Sequence, residues 1–124
     1  MQKSVFVVDD NSLIRRAVSK MLEAENFVAC GEAVDGRDAI DKAMDLHPDL
    51  IVLDLAMPVM NGLQAAEILH QIMPSVPMIL FSMHAGSVLR SQAEAAGIRA
   101  IVPKDAGGNL LLAHAKNLLG LSAA

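Results

Sequence analysis

Aromatic side chains are scarce in this chain, which has no Trp, no Tyr and 3 Phe in 124 residues. A flavin site, with stacking rings and a Ser/Thr-rich loop, therefore finds no support. Cysteine is scarcer still. The single Cys30 excludes an internal disulfide framework and a multi-cysteine metal centre, and its apolar surroundings mark it as a core residue. Positive charge is not in excess. The net charge of −4 argues against direct contact with nucleic acid. No apolar run approaches the roughly 20 residues that span a bilayer. The start, Met1-Gln2-Lys3-Ser4-Val5, lacks the apolar stretch of a secretory signal. The chain reads as cytoplasmic, without membrane contact. His47, His70, His84 and His114 have no metal-ligand spacing, and His84 reads as an exposed loop residue.

What the chain has is aliphatic. Hydrophobic residues make up 53%, enough for the core of one domain built on Val, Ile, Leu, Met and Ala. Charge is uneven: residues 1–54 carry 11 acids and 6 bases, and residues 55–124 carry 3 acids and 4 bases. The second half is freer to present an apolar face.

Strand-like and helix-like segments alternate five times. Strands are predicted over residues 3–8, 27–33, 50–53, 78–81 and 98–102. Asn11 or Ser12 is placed to cap a helix whose stripe is Leu13, Ile14, Ala17, Val18, Met21 and Leu22. Asp35-Gly36 reads as a turn before a helix over 37–47 that carries Ala39, Ile40, Ala43 and Met44 on one face and is stopped by Pro48. Helices follow over 63–72, 87–96 (closed by Gly97) and 107–119. Leu50-Ile51-Val52-Leu53 is apolar without a break, as in a strand buried on both sides. Such alternation implies right-handed crossovers and a parallel sheet with helices on both faces.

Polar groups stand where these strands stop. Asp9 and Asp10 follow the first strand, Asp54 the third, Ser82 the fourth and Lys104 the fifth. The carboxyl ends of strands are where an open α/β sheet builds its site. The second strand ends in Gly31-Glu32-Ala33-Val34 and offers no matching group, which suits an edge position in the order 2-1-3-4-5. Three carboxylates in one crevice repel and call for a cation. Oxygen donors suit Mg²⁺. A carboxylate can be a nucleophile toward phosphorus, a lysine can neutralise phosphoryl oxygens, and a hydroxyl can donate to them.

These residues, in this order, resemble the receiver domain of bacterial two-component response regulators. Val7-Val8-Asp9-Asp10-Asn11-Ser12 is similar to that family's acid pair. Leu53-Asp54-Leu55-Ala56-Met57-Pro58, with Gly62 beyond it, is similar to its phosphoacceptor loop. Phe81-Ser82 matches its switch hydroxyl and Pro103-Lys104 its lysine. The resemblance implies a flavodoxin-like three-layer α/β fold with a five-stranded parallel sheet in the order 2-1-3-4-5. It implies a single receiver domain over 1–124 with no output domain. It implies phosphorylation of Asp54 by a sensor histidine kinase or a His-phosphotransfer protein, with Ser82 and Lys104 assisting. Mg²⁺ (or Mn²⁺) is expected on Asp10, Asp54 and the backbone carbonyl of Ala56, with Asp9 acting through water. The chain is then a switch and not a turnover enzyme on an external substrate. Its output face is expected on the last two helices and the fifth strand, through Val88, Leu89, Gln92, Arg99 and Leu112. That face is read as serving an output protein or a phosphorylation-dependent homodimer.

Asp105 and the stretch Gly31–Arg37 resemble the subfamily whose full-length members carry a C-terminal DNA-binding helix-turn-helix. The resemblance also suggests a cis bond at Pro103. Two positions depart from the family pattern. Ile101 stands where an aromatic is usual, and Met83 where a small residue is usual. A phosphatase of the haloacid-dehalogenase type would need a second acid two residues after the nucleophile, and Asp54 is followed by Leu55 and Ala56.

Overall fold

The unbroken apolar run Leu50–Leu53 is the central strand of the sheet, and all four of its residues are buried. In the computed structural model, which describes residues 2–83 and 86–121, ten main elements alternate. They are β1 (Ser4–Val8), α1 (Ser12–Ala24), β2 (Val28–Ala33), α2 (Gly36–Leu46), β3 (Leu50–Leu53), α3 (Gly62–Ile72), β4 (Met78–Ser82), α4 (Ser87–Ala95), β5 (Ala100–Pro103) and α5 (Gly108–Leu118). A 3₁₀ turn, Lys104–Ala106, joins the last two. All pairings are parallel, in the order β2-β1-β3-β4-β5, as predicted.

Successive strand side chains point to opposite faces, and the core divides accordingly. Phe6, Val8, Ile51, Leu53 and Leu80 face α2, α3 and α4. Val5, Val7, Val52, Ile79, Phe81 and Val102 face α1 and α5. Alanines make up much of the first interface, with Ala39, Ala43, Ala65, Ala66, Ala93 and Ala96 all buried. Their small side chains let three helices lie close on a sheet that has few rings to fill space. Burial of each large aliphatic side chain contributes about 1.5–3 kcal/mol.

Local signals set the helix starts. The Asn11 side chain accepts from the Leu13 and Ile14 amides. Asp35 and Asn61 cap α2 and α3, the latter in a reciprocal box with Gln64. The predicted turn at Asp35-Gly36 is therefore a cap and the first helical residue. Gly97, at φ +92°, ends α4 as expected. The same turn draws Ile98 into a hydrogen bond with Ala93 at 2.9 Å, so the fifth strand begins two residues later than predicted. It runs on through Pro103, which is opposite Ser82. Among the described residues no peptide bond is cis, and the bond at Pro103 is trans, which keeps the proline extended within the strand.

Helical periodicity placed some side chains on the wrong side of the surface. Leu13 is 70% exposed and Met44 52%, although both belong to apolar stripes. Leu112, expected on an output face, is buried against the sheet beside Leu111 and Ala115. Cys30 is half-buried and packs against the first core, and burial pushes its thiol up. No helix among the described residues is long and apolar enough to cross a membrane.

Gly62 couples this framework to the strand ends. Its amide donates to the Leu55 carbonyl at 2.9 Å, and a Cβ there would collide with the backbone carbonyl oxygen of Asp54. Backbone cannot swing aside as a flexible side chain does. Gly62→Ala should therefore cost about 1–3 kcal/mol, read as a lower urea midpoint. It should also displace Asp54, which would appear as large amide shifts at residues 54–56.

Candidate functional site

Three strand ends meet on one side of the molecule. The Asp54 amide donates to the Val8 carbonyl at 2.9 Å, and the Asp9 amide to the Ala33 carbonyl at 3.0 Å. The sheet ladder thus continues one residue past its strands and carries both acids inward. Asp9 is 3% exposed and Asp54 6%, whereas Asp10 faces solvent. Oxygens of Asp9, Asp10 and Asp54 lie within 4.8 Å of one another.

Lys104 reaches this cluster from the turn after β5. Its Nζ donates to Asp9 Oδ2 at 2.7 Å and lies 3.3 Å from Asp54 Oδ1. Asp9 Oδ1 accepts from the Asn11 amide at 2.9 Å, and Asp54 Oδ1 from the Leu55 amide at 2.8 Å. Burial pushes the Asp54 carboxyl up, and the charge of Asp9 adds to the rise. Lys104 and the Leu55 amide offset this only in part. For Lys104, burial opposes the charged form. The hydrogen bond to Asp9 and the charges of Asp9 and Asp54 outweigh it and raise the ammonium.

Ser82 is fully buried at the end of β4, in register with the residue before Lys104. Ala56 lies on the exposed loop two residues beyond Asp54. On the same loop Val59 takes φ +68° and is 84% exposed. A β-branched residue in the left-handed region stores about 1–3 kcal/mol of strain. Met57 and Met60 pack inward against the core, whereas Met83 is 67% exposed beyond Ser82. His84 lies outside the described residues.

Sequence reasoning missed one pair. Arg15, in the first turn of α1, donates to the Asp9 carbonyl oxygen at 2.7 Å and pairs with Glu32 at 2.8 Å. The end of β2, read as offering nothing, thus reaches the acid pair through an arginine. The only sequence signal was an arginine four residues past the helix cap.

A match to the response regulator receiver domain family covers residues 5–116. The chain belongs to that family. A protein-glutamate methylesterase/protein-glutamine glutaminase of Pseudoalteromonas translucida (strain TAC 125) is 40% identical over an alignment of 109 residues that covers 84% of this chain and 27% of that protein. The chain therefore spans about a quarter of the length of that curated relative. The response regulator domain of Thermotoga maritima CheB superposes with a TM-score of 0.89 at 24% identity, covering 99% of this chain and 100% of that one. A two-component response regulator of the LuxR family from Aurantimonas sp. SI85-9A1 gives 0.89 at 26% identity, covering 100% and 90%. The receiver is thus a phospho-accepting signalling domain of flavodoxin-like fold. The proteins it resembles are of more than one kind, a methylesterase/glutaminase and a LuxR-family regulator.

The charge arrangement of the receiver has a consequence for stability. The Asp54 carboxyl is raised on folding, so the stability it confers is present below the unfolded carboxylate range and lost as pH rises through the folded value. At neutral pH its ionised form is a cost. Asp54→Asn should raise Tm at pH 7 in chelator by a few degrees, on the order expected for ~1 kcal/mol. The gain should shrink as pH falls through the raised folded value, where the wild-type group takes up its proton. Thermal melts across this range in EDTA measure it, and an equal gain at every pH would exclude a charge origin.

Proposed function

We propose that this receiver takes a phosphoryl group from a phosphohistidine onto Asp54. The observation carrying the reading is the cluster of Asp9, Asp10 and Asp54 at one end of the sheet, with Lys104 bridging two of them. An Asp54 oxygen forms the new P–O bond as the P–N bond of the donor breaks, and the departing imidazole keeps the electron pair and takes a proton. Buried among acids, the Asp54 carboxylate is poorly solvated and close to a fixed ammonium. Lys104 is then placed to turn from Asp54 to the new phosphoryl oxygens while it keeps Asp9. Ser82 supplies a hydroxyl donor from the adjacent strand end.

The all-oxygen set of closely spaced carboxylates fits a small hard cation. Asp10, Asp54 and the Ala56 carbonyl would hold Mg²⁺ (or Mn²⁺), with Asp9 through water, and the ion would supply positive charge against the phosphoryl oxygens. The donor is a sensor histidine kinase or a His-phosphotransfer protein, in the cytoplasm. The readout is an output protein, a covalently linked output domain or a phosphorylation-dependent homodimer. On this reading the receiver acts on no external substrate and contacts no nucleic acid itself.

Incubation with acetyl phosphate and Mg²⁺ should add one phosphoryl group by intact mass, labile to hydroxylamine. Asp54→Asn should abolish the addition, and Asp10→Ala should lose it together with Mg²⁺ binding. Unchanged addition in the Asp54→Asn protein would sink the assignment.

Switching is expected to bypass Ile101. That side chain is half-buried in β5, packs against the first core and borders a cavity of about 60 Å³ beside Arg90 and Arg99. It has no ring to turn, and β-branching restricts its χ1. Phosphorylation should therefore shift the segment from Met83 to Ser87 and the start of α4, with coupling of ~1–3 kcal/mol. Methyl and amide NMR spectra with and without a phosphoryl mimic decide this. A rotamer change at Ile101 beside a quiet α4 would place the switch elsewhere. His84 and Ala85 of that segment lie outside the described residues.

A further inference from the structure

We infer that Arg15, held by Glu32, is a positioning residue for the acid pair and sets the receiver's affinity for a divalent cation without touching cation or phosphoryl group. The inference rests on the proposed function of the site. Asp10 is exposed, and its direction depends on the peptide plane joining it to Asp9. The oxygen of that plane is the Asp9 carbonyl, to which Arg15 Nη1 donates at 2.7 Å. The amide on the other side of Asp9 is fixed by the Ala33 carbonyl at 3.0 Å. Arg15 therefore fixes the part of the corner that the sheet does not.

The arginine is itself held in place. Its side chain is 15% exposed, and its Nε donates to Glu32 Oε1 at 2.8 Å. The backbone of Glu32 is tied in turn, its carbonyl accepting from Lys42 Nζ at 2.9 Å. One planar guanidinium thus joins α1, the acid corner and the end of β2. A lysine has no such fork and cannot make both contacts in this geometry. Groups that orient metal ligands change affinity by about 10–100-fold when removed. Glu32 also offsets the Arg15 charge, so the effect comes from geometry more than from field.

The test is a Mg²⁺ titration of the metal-free receiver followed by NMR at the Asp10 and Asp54 amides, with the rate of phosphorylation by acetyl phosphate measured at saturating Mg²⁺. Arg15→Gln should weaken Mg²⁺ binding about tenfold and leave the saturated rate within about twofold of wild type. Arg15→Lys and Glu32→Ala should fall between. Lys116→Gln is the control. It removes the 2.7 Å ion pair with Glu25, near the far end of α1, and should lower Tm without moving the Mg²⁺ affinity. If Arg15→Gln does not fold, the ordering of Arg15→Lys and Glu32→Ala against that control carries the same test. Unchanged Mg²⁺ affinity in the folded Arg15 variants, or a loss no greater than in the control, would overturn the inference. Failure of the proposed function shows differently, as a wild-type receiver that binds no Mg²⁺ or takes no phosphoryl group.

Discussion

Two buried carboxylates share one ammonium in this receiver, and the arrangement of the site follows from that. Asp9 and Asp54 lie almost out of water, where like charges repel strongly and neither is well solvated. Lys104 relieves the repulsion between them, 95 residues along the chain from Asp9. The relief is incomplete, because the Asp54 carboxyl stays raised despite it. A site in this condition favours whatever brings further positive charge. It also holds a poorly solvated carboxylate of the kind that gains by forming a bond. The same crowding that burdens the folded chain makes the site responsive.

The rest of the fold serves to hold charges where they would not otherwise stay. A sheet buried on both faces fixes the strand ends, and the ladder bonds to the Val8 and Ala33 carbonyls extend that rigidity to the acids themselves. Gly62 allows α3 to begin against the Asp54 backbone, so the loop between them turns back tightly. Strain collects in that loop at Val59 rather than in the strands. Arg15 and Glu32 complete the enclosure from the edge of the sheet. Rigidity at the strand ends and strain in the loop thus occupy different parts of the site.

The opposite half of the molecule has a different character. Arg90 and Arg99 border a small cavity between α4 and β5, next to Ile101. Val88 is 72% exposed on the same helix. Ile101 itself offers no ring to turn between the acids and that surface. Arg90, Arg99 and Val88 give a mixed cationic and apolar surface, in keeping with the more neutral second half of the chain.

Much of this was legible in the order of residues. Alternation of period fixed the element types, the unbroken run Leu50–Leu53 marked the central strand, and short-range chemistry placed the caps at Asn11 and the stop at Gly97. The acids, hydroxyl and lysine stood out because each ends an apolar run, and that depends only on neighbours in sequence. Other features depended on distant neighbours and were not legible. A helical stripe says which residues share a face but not where the sheet beneath it ends, so Leu13 and Met44 overhang into water while Leu112 is covered. The start of β5 moved because the turn at Gly97 claims Ile98 for its own hydrogen bond. Arg15 and Glu32 are ordinary surface residues until the parallel pairing of β1 with β2 brings the end of β2 beside the first turn of α1. Sequence determined the groups available at the strand ends, because local pattern decides where strands stop. Tertiary structure alone decided which of those groups share charge, because ion-pair partners are chosen by distance in space and not along the chain.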